Sequence, residues 1–208
     1  MLEVLLLSII QGVTEFLPVS SSSHLIIISE YFKFDNQSLS LDVSLHIGSF
    51  LAVIVYFKKD IFDLIKNIEL FLKIILSSIP VMIIGFLLIK FNLIDQLRNI
   101  KIIGWTTIIF GILLYISDRF SLDKKIEKDF NFKSAIFIGF LQVFSLIPGV
   151  SRSGIAITAA RFLKFKRVDS AKISFLLSIP ILAAVSIFGF KNILISEDAQ
   201  FTKLNLFS

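Results

Sequence analysis

The chain has 208 residues, of which 55% are apolar and 18% charged, with 23 Phe and a mean hydropathy of +0.86. Soluble domains run near about 25% charged, and a water-soluble fold of this length needs polar surface that a chain apolar along its whole length does not hold, so the class is integral membrane protein. Basic residues outnumber acidic ones by 21 to 16 but lie in short blocks between apolar runs, as membrane loops do, which excludes nucleic acid as partner; zero Cys excludes disulfides, thiol catalysis and Cys-ligated metal, and two His exclude a His-rich cage.

The N-terminal MLEVLLLSII carries Glu3 and no Lys or Arg, so it lacks the basic start of a cleaved signal peptide and is read as part of the mature fold. Residues 2–32 are apolar but broken by PVSSSSH. Stretches 41–57, 70–89, 102–117 and 173–190 are long enough to cross roughly 30 Å of hydrocarbon, with Pro80 and Pro180 as kink positions inside two of them. Residues 134–163 form a second broken stretch, interrupted by PGVSRSG. Each half of a broken stretch spans roughly 15–24 Å at 1.5 Å per residue, too short to cross, so both read as re-entrant helical hairpins.

Basic residues follow residue 57 (Lys58, Lys59, Lys66), residue 117 (Arg119, Lys124, Lys125, Lys128, Lys133) and residue 163 (Lys164, Lys166, Arg167, Lys172). All three blocks belong on the cytoplasmic side. The last two share a side only if 134–163 makes no net crossing, and alternation then puts the first hairpin on the outer side. The hairpins enter from opposite faces, as in an inverted-topology repeat. A weak internal similarity agrees: Gln11 and FLPVSSS recur as Gln142 and LIPGVSRS, with a one-residue gap. The expected fold is an all-α integral membrane bundle with two opposed re-entrant hairpins, in a single polytopic domain over 1–208.

Two interruptions carry the residues capable of chemistry. The first holds Glu15, Ser20, Ser21, Ser22, Ser23 and His24. An ionisable residue at membrane depth marks a functional site by default, and an acid/base pair beside hydroxyls is what activation of a nucleophile or water requires; the structural alternative is that the serines cap the next helix. The second places Arg152 between Ser151 and Ser153, with Gly149 and Gly154 allowing close backbone approach. Hydroxyls, a guanidinium and a helix start make an oxyanion or phosphate cradle, the alternative being a snorkelling interfacial arginine. His46 and Asp42 read as a polar pair near the outer interface, Arg161 as part of the cytoplasmic rim, and Gln11 and Gln142 as hydrogen-bonding residues between helices. Juxtaposed, the two interruptions suit phosphoryl transfer from a lipid phosphate.

At these residues the chain resembles the undecaprenyl-diphosphate phosphatases, the bacitracin-resistance family. QGVTEFLPVSSSSH and PGVSRSG resemble its two signatures, (E/Q)GxTEFLPVSSxGH and PGxSRSG, and ISFLLSIP resembles the segment that follows. The resemblance implies a multi-pass enzyme of the bacterial inner membrane that hydrolyses undecaprenyl diphosphate to the monophosphate for reuse in cell-wall synthesis. By motif position Glu15, Ser21 and His24 match catalytic residues and Arg152 a phosphate-binding one. Gln11, Ser20, Ser22, Ser151, Ser153, Gly149 and Gly154 are then expected around the substrate. A divalent cation, Mg²⁺ or Ca²⁺, is implied, with Glu15 as its contact. Gln11 stands where some members carry Glu, Ser23 where Gly is usual, and the chain ends short of the family's last two helices. Expected partners are a polyprenyl diphosphate, the bilayer and, as an option, a second copy in a homodimer. Opposed hairpins also describe transporters or flippases of lipid-linked or anionic solutes, and whether Ser21 attacks or water attacks directly stays open at this level.

Overall fold

The computed structural model describes residues 2–34, 39–119 and 123–195. The single-domain reading takes in residues 196–208, which lie outside the described residues. Apart from one isolated bridge, the described residues that form regular structure are helical. The elements are α1 (Leu2–Thr14), α2 (Ser21–Phe32), α3 (Leu39–Tyr56), α4 (Lys58–Lys66), α5 (Ile68–Lys90), α6 (Ile94–Leu97), α7 (Ile100–Ser117), α8 (Ile126–Asp129), α9 (Phe132–Gln142), α10 (Arg152–Phe162) and α11 (Arg167–Ile195).

All four expected crossings are helices. Three, Ile68–Lys90, Ile100–Ser117 and Arg167–Gly189, are each long and apolar enough to cross a membrane. Residues Leu41–Tyr56 and Lys58–Lys66 meet that standard as a pair bent by 77°. The bend separates α3 from α4, an amphipathic helix absent from the sequence expectation because its Lys and Asp residues lower its mean hydropathy. Only Leu64 of α4 is buried. The outer surface of α7 leaves Trp105, Ile108, Ile109, Ile112, Tyr115 and Ile116 exposed, a face that hydrocarbon accepts and water does not. The protein is a multi-pass membrane protein.

Both interrupted stretches are helix-turn-helix units. In the first, α1 and α2 pack together across residues 15–20. In the second, α9 runs into a 3₁₀ turn (Val143–Leu146), and α10 begins at Arg152 and packs back on α9. Its two ends come together: the Lys124 amide donates to the Lys164 carbonyl and the Lys166 amide to the Lys124 carbonyl, each at 3.1 Å. Leu64, Ile126, Phe130 and Phe165, each beside one of the three basic blocks, belong to one core cluster. There Arg161, buried, donates to the Asp118 and Phe165 carbonyls, and Arg167 grips the Asp118 carboxylate at 2.5 and 3.0 Å. Hydrogen bonds from Arg167, and then the charge of Arg161, hold the Asp118 carboxyl below its ordinary range.

Small residues let the helices approach closely, as membrane interfaces require. Ser77 of α5 donates to the Ala135 carbonyl of α9 at 2.7 Å, and a Cβ on Gly139 would lie 2.5 Å from the Ser77 carbonyl oxygen. Gly189 of α11 likewise faces Val43 of α3.

Because the natural chain has no Cys, single cysteines at 125 and 166 report sidedness cleanly. Both are expected to react with a membrane-impermeant thiol reagent from the same face of the membrane. Labelling from opposite faces would contradict the return of 134–163 to its starting side.

Candidate active site

Glu15 lies one residue past α1, its amide still bonded to the Gln11 carbonyl at 3.0 Å, and it is 5% exposed. Its Oε2 accepts from Gln11 Nε2 at 2.7 Å and from Ser21 Oγ at 2.9 Å. His46 Nε2, from α3, is 3.4 Å from the same oxygen. Oε1 faces Arg152 Nη2 at 2.5 Å, across 137 residues of sequence. The two interruptions therefore meet through their charges.

Local rules explain why each side chain stands where it does. Ser20 is the N-cap of α2, extended in backbone, and its hydroxyl accepts from the Ser23 amide; that starts a helix whose first residue is Ser21. Ser151 caps α10 in the same way, accepting from the Gly154 amide at 3.1 Å, so Arg152 becomes the first residue of that helix. The two structures are parallel: a capping serine followed by the residue that reaches Glu15. Ser153 donates to the Leu17 carbonyl, and Ser151 Oγ lies 3.0 Å from Ser153 Oγ and 3.4 Å from the Leu17 carbonyl oxygen, its one hydrogen serving one contact or the other. They fasten the second turn to the first and satisfy a backbone oxygen there. The serines thus meet the capping reading at Ser20 and Ser151 while leaving Ser21 beside the carboxylate.

Gly149 serves close approach between protein segments. Gly149 has φ +98°, and a Cβ there would strike Thr106 Oγ1 at 1.8 Å and the Ile103 carbonyl at 2.7 Å. Thr106 donates to the Pro148 carbonyl at 2.6 Å, so α7 braces the turn. A Cβ on Gly154 would lie 3.5 Å from the Pro18 carbonyl of the first turn. Ser22 bonds to Ser20 at 3.2 Å.

His24 is exposed on α2, one turn past Ser21, with Nδ1 2.7 Å from the Ser20 carbonyl and no recorded bond to Glu15 or Ser21. The imidazole beside Glu15 is that of His46. The sequence flagged His46 only through its four-residue spacing from Asp42, and that spacing is real but differently used: Nδ1 lies 2.7 Å from the Asp42 carbonyl, while the Asp42 carboxylate pairs with Arg98 at 2.8 Å. Gln11 bonds along its own segment to Glu15, and Gln142 is fully buried with both amide atoms unpartnered.

A small pocket of about 60 Å³ opens on this cluster, lined by Glu15, Arg152 and Ser153 on its polar side and by Phe16, Ile157 and Phe175 on its apolar side. Ser174 and Ser178 of α11 complete the lining. Sequence reading passed over these two serines, whose four-residue spacing inside an apolar helix was the available signal.

Among the described residues no three His, Asp or Glu side chains converge as a metal cage. The oxygens that are present suit a hard cation shared with a ligand: the Glu15 carboxylate, the Ser21 hydroxyl and Gln11 Oε1, which is buried without a partner.

Fold and pocket together define a multi-pass helical membrane protein with an ionisable pair buried between its two broken stretches. The chain belongs to the family described as bacitracin resistance protein BacA, which it matches over residues 4–207. It is 50% identical to an undecaprenyl-diphosphatase of Pelagibacter ubique (strain HTCC1062) over 192 residues, covering 92% of this chain and 75% of that protein. It is 45% identical to one of Hahella chejuensis (strain KCTC 2396), covering 90% and 74% of the two chains, and 39% identical to one of Jannaschia sp. (strain CCS1), covering 94% and 78%.

Gly149→Ala is expected to destabilise the protein by about 1–3 kcal/mol through backbone strain alone, more with the Thr106 clash, lowering the unfolding midpoint in detergent by about 2–4 °C per kcal/mol. Gly12→Ala is the control, since nothing lies within 4 Å of a Cβ at that position. An unchanged midpoint in Gly149→Ala would show that α7 does not brace the turn.

Proposed function

We propose that the chain hydrolyses undecaprenyl diphosphate to undecaprenyl phosphate and inorganic phosphate in the bacterial inner membrane, returning the lipid carrier to cell-wall synthesis. The observation that carries this is the Glu15–Arg152 pair on a pocket with an apolar wall, with the Ser21 hydroxyl bonded to the same Glu15 carboxylate, in a chain whose relatives are named undecaprenyl-diphosphatase. A substrate with an anionic head and an isoprenoid tail needs both kinds of wall.

In this reading the stretches 2–32 and 134–163 are re-entrant hairpins of an inverted-topology repeat, supported by their half-length helices, the touching turns and the common side of the basic blocks. The basic end faces the cytoplasm.

Ser21 Oγ attacks the terminal phosphorus as Glu15 takes its proton over the 2.9 Å hydrogen bond. A Ser–O–P bond forms, the bridging P–O bond breaks, and undecaprenyl phosphate leaves with the bonding electrons on its oxygen. Glu15 passes the proton it took to the departing undecaprenyl phosphate oxygen; water then adds to the phosphoserine, losing a proton to the regenerated Glu15 carboxylate, which returns it to Ser21 Oγ as the Ser–O–P bond breaks and phosphate departs. Arg152 neutralises charge on the phosphoryl oxygens, using Nη1, which is buried and unpartnered in the free protein. His24, exposed one turn past Ser21, is left to contact the departing phosphate, and Ser22, Ser151 and Ser153 frame the head group. A bound Mg²⁺ or Ca²⁺ would be held by Glu15, Gln11 Oε1 and substrate oxygens, and would add further charge neutralisation.

Phosphate release from a C55 diphosphate by purified protein in detergent tests this. The wild-type chain is expected to turn over, Ser21→Ala to be inactive, and Arg152→Lys to fall by about 100-fold or more, since ammonium cannot hold Glu15 and phosphate in one fork. Full activity of Ser21→Ala with Glu15→Gln inactive would replace the covalent route by direct attack of water. No release by the wild type would overturn the function.

A further inference from the structure

Two contacts fix how α4 is rolled about its own axis. Phe57, the residue before its first turn, packs on Phe175 of α11 with ring centroids 4.1 Å apart. Leu64, seven residues on and so on the same side of the helix, is buried in the core cluster, and Ile61 between them is half-buried. With that face pinned to the protein, the two remaining flanks point in opposite directions, and the sequence fills them differently. Lys58, Phe62, Ile65 and Lys66 share one flank by their helical spacing; Asp60, Asp63 and Asn67 share the other.

Lys58, Lys59, Asp60, Asp63 and Lys66 bar this nine-residue helix from hydrocarbon as a whole, and it leaves the apolar helix α3 at a bend of 77°, so it runs along the membrane surface. There one flank looks toward the acyl chains and the other toward water. Phe62 and Ile65, 59% and 55% exposed, decide which: theirs is the lipid flank, and the aspartates are on the water side. Lys58 and Lys66 stand at the two ends of the apolar flank, and Lys66 Nζ lies 4.4 Å from the Phe62 ring centroid. Among the described residues none of the three lysines enters an ion pair, although Lys59 and Asp63 have the four-residue spacing that would allow one. Three cations on long stems are thus held at headgroup depth with no counterion from the protein.

We infer that α4 is a docking surface for anionic phospholipid: Phe62 and Ile65 enter the acyl region of one leaflet, and Lys58, Lys59 and Lys66 hold its headgroup phosphates. Charge complementarity selects the occupant, since each lysine adds attraction to an anionic surface that a zwitterionic one does not supply, while the aspartates are turned away from it. The inference goes beyond the phosphatase reading and does not depend on it.

The chain has one Trp, Trp105, so Trp105→Phe combined with Phe62→Trp puts a single fluorophore on the lipid flank. This protein is reconstituted in phosphatidylcholine vesicles carrying an equal mole fraction of either brominated phosphatidylglycerol or brominated phosphatidylcholine. Quenching by the brominated phosphatidylglycerol is expected to exceed that by the brominated phosphatidylcholine by about twofold or more, and to fall toward parity at about 1 M salt. Adding Lys58→Gln, Lys59→Gln and Lys66→Gln is expected to bring the ratio to about one, while adding Asp60→Asn and Asp63→Asn instead leaves it at least as high. Each variant is checked for an unchanged unfolding midpoint, and should Phe62→Trp not fold, Ile65→Trp carries the fluorophore. Equal quenching by the two lipids would overturn the inference, as would a preference that survives loss of the lysines. A fluorophore reached by aqueous iodide and by neither lipid would put the flank in water, and one shielded from all three would put a second copy of the chain or another protein on it; either result contradicts lipid docking.

Discussion

Everything about the site follows from the cost of a charge inside an apolar protein. A buried charge without a partner costs several kcal/mol even after relaxation, so Glu15 and Arg152 each stabilise the other. Paired, they fix the distance between two turns that lie 137 residues apart in sequence. Loss of one partner of such a pair typically costs about 3–5 kcal/mol, since the other charge stays behind. The pair therefore ties the stability of the two broken stretches to the presence of both reactive groups.

Backbone satisfaction sets the second constraint. Non-helical backbone survives at membrane depth only where protein or a water-filled cavity supplies its hydrogen bonds. Here the Leu17 carbonyl is met by Ser153, and the Pro148 carbonyl by Thr106. The serine-rich sequences are thus needed to build the turns before any chemistry is considered. The same constraint explains Gly149, which admits α7 to the second turn.

Much of this was legible in the sequence, and the exceptions have physical causes. Crossings at 41–57, 70–89, 102–117 and 173–190 were visible because hydrocarbon thickness demands long apolar runs, and Glu15, Ser21 and Arg152 because polar groups stand out within them. The helix Lys58–Lys66 was not, because a short interfacial helix shows no such run. His46 was seen but assigned to Asp42, four residues away, since spacing along a helix gives neighbours on that helix and says nothing of what a different helix presents. Its contact with Glu15 depends on how α3 packs on α1, a tertiary fact. Ser174 and Ser178 were hidden for the same reason: on an apolar helix a serine is unremarked until a cavity is found against it.

The central claim is that the two turns form one structure, and a paired-cysteine crosslink reads it most directly. In a chain with no native Cys, Leu17→Cys combined with Ser153→Cys is expected to be bridged by a short bifunctional methanethiosulfonate in native membranes, because the Ser153 hydroxyl touches the Leu17 carbonyl and a linker of this kind spans either direction of the two side chains. A faster-migrating band on a non-reducing gel, lost on reduction and absent from either single variant, is the predicted result. Failure to crosslink while both cysteines accept a small thiol reagent would mean that the turns are apart, and the shared site would not exist.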